Sequence, residues 1–97
     1  MQTKSYALSP LAEIDLEEIW FYTFQKWSLA QADSYHRDLV TSFEGLASGT
    51  KRGRDVDVRP DYLKCLVGSH IIYFRDDGDQ IEVIRVLHQR QDADRNL

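Results

Sequence analysis

GSHIIYFRDDGDQIEVIRVLHQRQD, residues Gly68–Asp92, is the stretch that decides the fold. Two runs of β-branched and aromatic residues, Ile71–Arg75 and Ile81–Leu87, flank Asp76-Asp77-Gly78-Asp79. Asp-Gly between apolar runs predicts a type I′ hairpin, because both central residues must tolerate positive φ. With Asp77-Gly78 as a two-residue loop, Phe74 faces Ile81 and Ile72 faces Val83. One sheet face then carries Ile72, Phe74, Ile81, Val83 and Leu87 and packs beneath a covering layer. The other carries Tyr73, Arg75, Glu82 and His88, with Ile84 and Val86 between them. Arg85, His88 and Arg90 gather where the last strand ends, and cations beside an imidazole suit a working surface.

Working toward the N-terminus, Tyr62–Val67 reads as a further strand, joined to Ile71–Arg75 through the tight turn Gly68-Ser69-His70. Residues 49–61 (GTKRGRDVDVRPD) form a Gly- and charge-rich connection. It reads either as a solvated loop or, through Arg52, Arg54 and Arg59, as a mobile anion-facing one. Before it lie two helices. Ser9 suits an N-cap and Pro10 the first helical position, where its missing N–H costs nothing. Glu13, Asp15, Glu17 and Glu18 then place negative charge near the positive end of the helix dipole. This helix extends to about Lys26. Ser28 and Gln31 have capping-box spacing and start a second helix, which reaches about Ala47, with Gly49 as a natural stop. Helices joined by so short a linker form an antiparallel hairpin. A short strand, Thr3–Leu8, opens the chain, and the polar tail from Gln89 to Leu97 reads as a last helical turn or a loose end.

At 100° per residue, Ala12, Leu16, Ile19, Thr23 and Trp27 share one sector of the first helix, flanked by Trp20. Ala32, Tyr35, Leu39, Phe43 and Leu46 share one sector of the second, with His36 at its edge as a structural histidine. Ile14 and Phe21 point the other way, among Glu17, Glu18 and Gln25. They read as stray surface hydrophobes or as a contact patch for a partner helix. The element order is therefore β-α-α-β-β-β: an α+β fold with a helical hairpin packed on one face of a small, mainly antiparallel sheet.

A chain of 97 residues reads as one domain, residues 1–97, burying roughly 60–68% of its unfolded surface. Its net charge of −4 resides in residues 1–50, which hold three Lys/Arg against seven Asp/Glu; residues 51–97 hold nine against nine. An acidic whole argues against direct, specific nucleic-acid binding and leaves room for a local basic patch. No apolar run approaches the ~18 residues of a membrane span and no signal peptide opens the chain. The lone Cys65 lies in an apolar run, which reads as a core thiol and fits a reducing cytoplasm. His36, His70 and His88 lie on three different elements without ligand spacing, so neither a metal nor a cofactor is expected. The Tyr73, Arg75, Glu82 and His88 set could serve phosphate recognition and acid–base work, or be a solvated face with one Arg–Glu pair.

YALSPLAEIDLEEIWFYTFQKW, the Tyr-centred second helix, RPDYLKCLVGSHIIYF and IEVIRVLHQRQD together resemble the ParE branch of the RelE/ParE toxin superfamily. The resemblance covers about Tyr6 to Asp92. Its most specific parts are Asp15-Leu16 with Ile19 and Trp27, the Gly68-Ser69-His70 turn, and Arg85-Val86-Leu87-His88 followed by Arg90 and Asp92. One departure is Gln91, where the pattern commonly has Met after Arg90. The resemblance implies a bacterial type II toxin, linked to plasmid stabilisation, that is neutralised by a cognate antitoxin and inhibits DNA gyrase without catalysis. Its alternative is a ribosome-dependent mRNA endoribonuclease of the RelE type. The acidic balance and the absence of a lysine-rich second helix suit the gyrase branch better. The expected target-binding residues are Arg85, His88, Arg90, Arg75 and Tyr73, and the expected antitoxin-binding residues are Ile14, Phe21, Ile84 and Val86.

Overall fold

The computed structural model describes residues 4–97, in the order β1 (Ser5–Leu8), α1 (Pro10–Lys26), α2 (Leu29–Ser48), β2 (Arg54–Val56), β3 (Arg59–Val67), β4 (His70–Asp76), β5 (Gln80–His88) and α3 (Ala93–Asn96). Thr3, expected in the first strand, lies outside the described residues. The five strands line up as β1-β5-β4-β3-β2. β1 runs parallel to β5 and every other pair is antiparallel. The expected order is present, with one addition, the short edge strand β2 inside the Gly-rich connection; of the two readings of the tail, the last helical turn forms, as α3.

Both helices start where their caps place them. Ser9 Oγ accepts from the Ala12 N–H at 3.0 Å, and Ser28 Oγ accepts from the Gln31 N–H at 3.0 Å. Gly49, at φ 84°, ends α2 in the left-handed region that side chains resist. The helical hairpin buries Ala12, Leu16, Leu39, Phe43, Leu46 and Ala47 against Ile72, Phe74, Ile81, Val83 and Val86 of the sheet. Trp27 does not join this stripe and is 69% exposed. It caps α1 with non-helical backbone (φ −122°, ψ −86°), so the helical angle no longer directs its side chain. His36 is likewise exposed rather than at the core edge.

The β4–β5 hairpin departs from the expected register. The Asp77 N–H donates to the Gln80 carbonyl at 3.2 Å, so the two-residue loop is Gly78-Asp79 rather than Asp77-Gly78. Only Gly78 has positive φ (96°) there, the II′ pattern rather than I′. Phe74 consequently pairs with Val83, two residues from its expected partner, Ile81. A shift of two leaves every side chain on its expected face. A one-residue irregularity then follows: Phe74 pairs with Val83, but Tyr73 pairs with Arg85, so Ile84 is an extra residue. That bulge reverses facing for the rest of β5.

Two corrections result. Val86, expected on the outward face, is 2% exposed beneath the helices. Leu87, expected beneath the helices, instead joins Tyr73 and Val56 in a second small core on the far side of the sheet. Tyr62, Ile71, Ala93 and Leu97 pack around that second core, so the outward face is not open.

Candidate functional site

β1 pairs with β5 only as far as Leu8 and Val83, after which the chain turns into α1. The remaining edge of β5 needs other partners for its backbone groups. The Ser9 N–H donates to the Val83 carbonyl at 2.9 Å, and Ser9 Oγ donates to the Ile84 carbonyl at 2.6 Å. Two turns along α1, Asp15 Oδ2 accepts the Val86 N–H at 3.0 Å. The start of α1 therefore serves as a surrogate strand.

Asp15 also captures Arg85. Arg85 Nε donates to Asp15 Oδ2 at 2.8 Å and Nη2 to Oδ1 at 2.9 Å, a two-pronged ion pair with both side chains largely buried. Nη1 donates to the Asn96 carbonyl at 3.1 Å, which ties the C-terminal turn to the same strand. The Asp15 hydrogen bonds raise the affinity of Arg85 for its proton above the ordinary level, against the opposing effect of burial. Arg85 was expected as a free cation at the strand end, but its donors are committed within the fold. Asp15 was read only as a dipole partner, although its helical angle sets it beside the Ala12–Ile19 stripe. An acid on an apolar stripe is the sequence signal for a buried partner.

The structure brings a further set together beside this ion pair, at the open end of the β4–β5 hairpin. His70 pairs across the sheet with His88, and their rings meet edge to face at 5.4 Å. Tyr35 Oη lies 2.6 Å from His70 Nδ1, donates to the Val67 carbonyl at 3.1 Å, and accepts the Ser69 N–H at 3.3 Å. Burial lowers the pKa of His70, and the neighbouring His88 lowers it further. Burial raises that of Tyr35. His88 Nδ1 accepts the Arg90 N–H at 3.1 Å, while the His88 N–H donates to Gln91 Oε1 at 2.7 Å, which fixes the strand end. The Arg90 side chain is exposed. Sequence reasoning assigned Tyr35 to the helical core and His70 to a turn, and so missed this cluster.

Arg75 lies in the exposed β4–β5 rim, opposite Glu82 and 5.9 Å from the centre of the Tyr62 ring. Tyr73, expected on the same outward surface, is 4% exposed because the second core covers it. Ile84 is half-buried at the bulge.

Most of the exposed large apolar side chains among the described residues are on α1. Ile14 and Phe21 are 48% and 58% exposed, as their angles predicted, and Leu11, Tyr22 and Phe24 of the same helix are also exposed. Trp20 stacks on Phe24 at 5.3 Å and donates Nε1–H to Asp33 Oδ1 at 3.0 Å. A shallow groove between α1 and α2 runs past Leu16, Trp20, Phe21 and His36, rimmed by Glu13, Glu17 and Asp33. Exposed apolar side chains gathered on one helix of a small domain mark a candidate partner surface. Among the described residues no group of three His, Cys, Asp or Glu side chains is placed to hold a metal, and no helix is long and apolar enough to cross a membrane.

Residues 6–93 match the model of the ParE toxin of type II toxin–antitoxin systems. The chain is 46% identical over 94 residues to the toxin ParE1 of Mycobacterium tuberculosis, covering 95% of this chain and 96% of that one. It is 40% identical over 95 residues to the toxin ParE1 of Caulobacter vibrioides, covering 97% and 98%. The fold matches a chain of the chromosomal ParDE toxin–antitoxin system of Pseudomonas aeruginosa with a TM-score of 0.77 at 19% identity, over 89% of this chain and 96% of that one. It also matches a chain of the RelBE2 toxin–antitoxin complex of M. tuberculosis with a TM-score of 0.60 at 18% identity, over 91% and 100%. With the family model spanning nearly all of the described residues and relatives above 40% identity, the chain belongs to the ParE toxin family of type II toxin–antitoxin systems.

Proposed function

We propose that this toxin acts by binding rather than by catalysis, that its target is DNA gyrase, and that a cognate antitoxin masks it through the apolar surface of α1. The observation that supports the non-catalytic reading is the state of Arg85, an expected target-binding cation, and of Tyr73, a member of the expected acid–base set. The donors of Arg85 are engaged by Asp15 and Asn96, and Tyr73 is buried in the second core, so neither is free to serve as an acid–base group. What the strand end still offers is His88 and Arg90, with Arg75 a separate cation at the turn end of the hairpin, groups suited to charge-assisted hydrogen bonds with an acidic protein surface.

Ile14 and Phe21, with Leu11, Tyr22 and Phe24, supply the apolar face that an amphipathic antitoxin helix would cover. Val86 lies outside that interface because it is already buried, and Ile84 contributes at most its half-buried edge.

One observation favours a second reading. Tyr35, His70 and His88 converge on a cleft beside α1, and an imidazole with lowered pKa next to a phenol is the equipment of a nuclease. One experiment separates the two. Purified toxin is incubated with supercoiled plasmid with and without gyrase, and in parallel with translating ribosomes. The binding reading expects plasmid damage or blocked supercoiling only with gyrase, intact ribosome-bound mRNA, and most activity retained in His88→Ala. Loss of ribosome-dependent RNA cleavage in that variant would establish the nuclease instead.

A further inference from the structure

The acidic chain carries one compact basic surface, at the sheet edge opposite α1. The edge strand β2 covers β3 only from Arg59 to Lys64, so among the described residues the outer edge of Cys65–Val67 pairs with no strand. The β3–β4 hairpin closes on Val67 and His70 around the two-residue turn Gly68-Ser69. Such a turn closes on a hydrogen-bonded pair, so residues 67, 65 and 63 turn their backbone groups toward β4. Lys64 and Leu66 turn theirs outward. Lys64 meets Arg54 of β2, whereas Leu66 lies beyond the end of β2, and its C=O accepts only a weak 4.0 Å contact from Cys65 Sγ.

Around this bare edge stand Lys51, Arg52, Arg54 and Lys64, lining one groove with Leu66 and Ile71. Lys51 Nζ donates to Ser42 Oγ at 2.9 Å, and among the described residues no carboxylate lies within ion-pair distance of any of the four. The Leu66 side chain is 62% exposed, on the same sheet face as Lys64. Edge strands are commonly blunted with lysine to prevent unwanted pairing. Here the cations flank an exposed leucine and a strand edge that no other strand covers instead of replacing them.

We propose that this edge binds an acidic, extended peptide segment of a partner protein, which adds as a strand beside Cys65–Val67. Its carboxylates meet Lys51, Arg52, Arg54 and Lys64, and an apolar side chain packs on Leu66 and Ile71. Strand addition takes its affinity from main-chain hydrogen bonds and its selectivity from alternate side chains, and the groove offers both. A single-stranded nucleic acid would share the charge but use aromatic platforms for its bases, and none lines this groove. The proposal is independent of the α1 interface and of the toxin's target.

The test uses the full chain, isotope-labelled for amide NMR, and a short blocked peptide of alternating Asp and Val. Amide shifts are expected at Lys51–Arg54 and Lys64–Val67 and not on α1. The pair Arg54→Glu and Lys64→Glu should weaken binding about tenfold or more, and salt near 0.5 M should do so as well. The same peptide N-methylated along one edge keeps its charge but cannot complete the ladder, and should bind at least about tenfold more weakly. Ile14→Ser with Phe21→Ser should leave binding intact, which separates this proposal from the α1 reading. Equal binding of the methylated peptide, shifts elsewhere, or a thymidine oligonucleotide that outcompetes the acidic peptide for the same amides would each overturn it.

Discussion

Asp15→Asn is the most informative single change, because one carboxylate holds a helix, a strand edge and a cation together. Asp15 accepts from Arg85 Nε, Arg85 Nη2 and the Val86 N–H, and the two side chains are 8% and 17% exposed. The Asn oxygen can replace only part of this, and its amide hydrogens face the guanidinium donors. Breaking a buried pair by removing one partner costs about 3–5 kcal/mol, and the residual acceptor places the change near the lower bound, at about 3 kcal/mol. A chain of this size has only about 5–15 kcal/mol in total. At about 4–8 °C per kcal/mol, the melting temperature should fall by about 12–24 °C. Urea unfolding followed by far-UV circular dichroism and by Trp20 and Trp27 fluorescence measures this directly. Adding Arg85→Met should restore part of the loss by removing the stranded cation. It should leave a residual loss of about 1 kcal/mol, because the neutral Asn oxygen accepts the Val86 N–H less strongly than the carboxylate does. A change below about 1 kcal/mol in Asp15→Asn, with an unaltered urea slope, would refute the account of Arg85 as internally committed.

Ser9→Ala should destabilise by up to about 2 kcal/mol and Ser28→Ala by about 1 kcal/mol, because Ser9 both caps α1 and donates to Ile84 whereas Ser28 only caps. Equal losses in urea titration would count against the cross-link. Gly53→Ala should cost about 1–3 kcal/mol, since a Cβ there would lie 2.5 Å from the Phe74 ring and 3.0 Å from Leu63 Cβ. Ile14→Ser with Phe21→Ser should weaken the antitoxin complex in calorimetry while leaving the melting curve of the free toxin within about 0.5 kcal/mol of wild type. His70 has a lowered pKa in the folded state, so below about pH 6.5 the unfolded chain takes up the proton first. Its contribution is therefore complete above that pH and is lost as pH falls through the folded value, and His70→Gln should flatten this part of the stability profile.

The elements with local signals were legible. Ser9-Pro10, Ser28 and Gly49 bounded both helices because caps act over a single turn. The strands of the β3–β4–β5 meander were readable from β-branched runs. What failed depended on one-residue details or on distant partners. The bulge at Ile84 has no composition of its own, yet it exchanged Val86 and Leu87 between cores. β2 lay hidden in a charged connection because a three-residue edge strand needs little more than a neighbour. Trp27 was assigned by an angle that holds only inside a helix. For the site, exposed Ile14 and Phe21 were legible, since helical periodicity alone fixes a solvent-facing stripe. The pairing of Arg85 with Asp15 and of His70 with His88 depends on contacts between elements, which periodicity does not encode.

The parallel pairing of β1 with β5 also bears on when the protein can fold. Ser5 and Gln80 are neighbours in space but 75 positions apart, and β5 is the strand that both β1 and the helical hairpin require. During synthesis β1, α1 and α2 emerge first, with no sheet to rest on, and the β3–β4 hairpin forms as a flap without its inner neighbour. Such non-local closure is slow and comes late. Only after the ribosome has passed His88 can one strand slot between the two halves, align Asp15 with Arg85 and complete the core. The complete core and the Asp15–Arg85 pair therefore exist only once nearly the whole chain has been made, although α1 and α2 are synthesised long before.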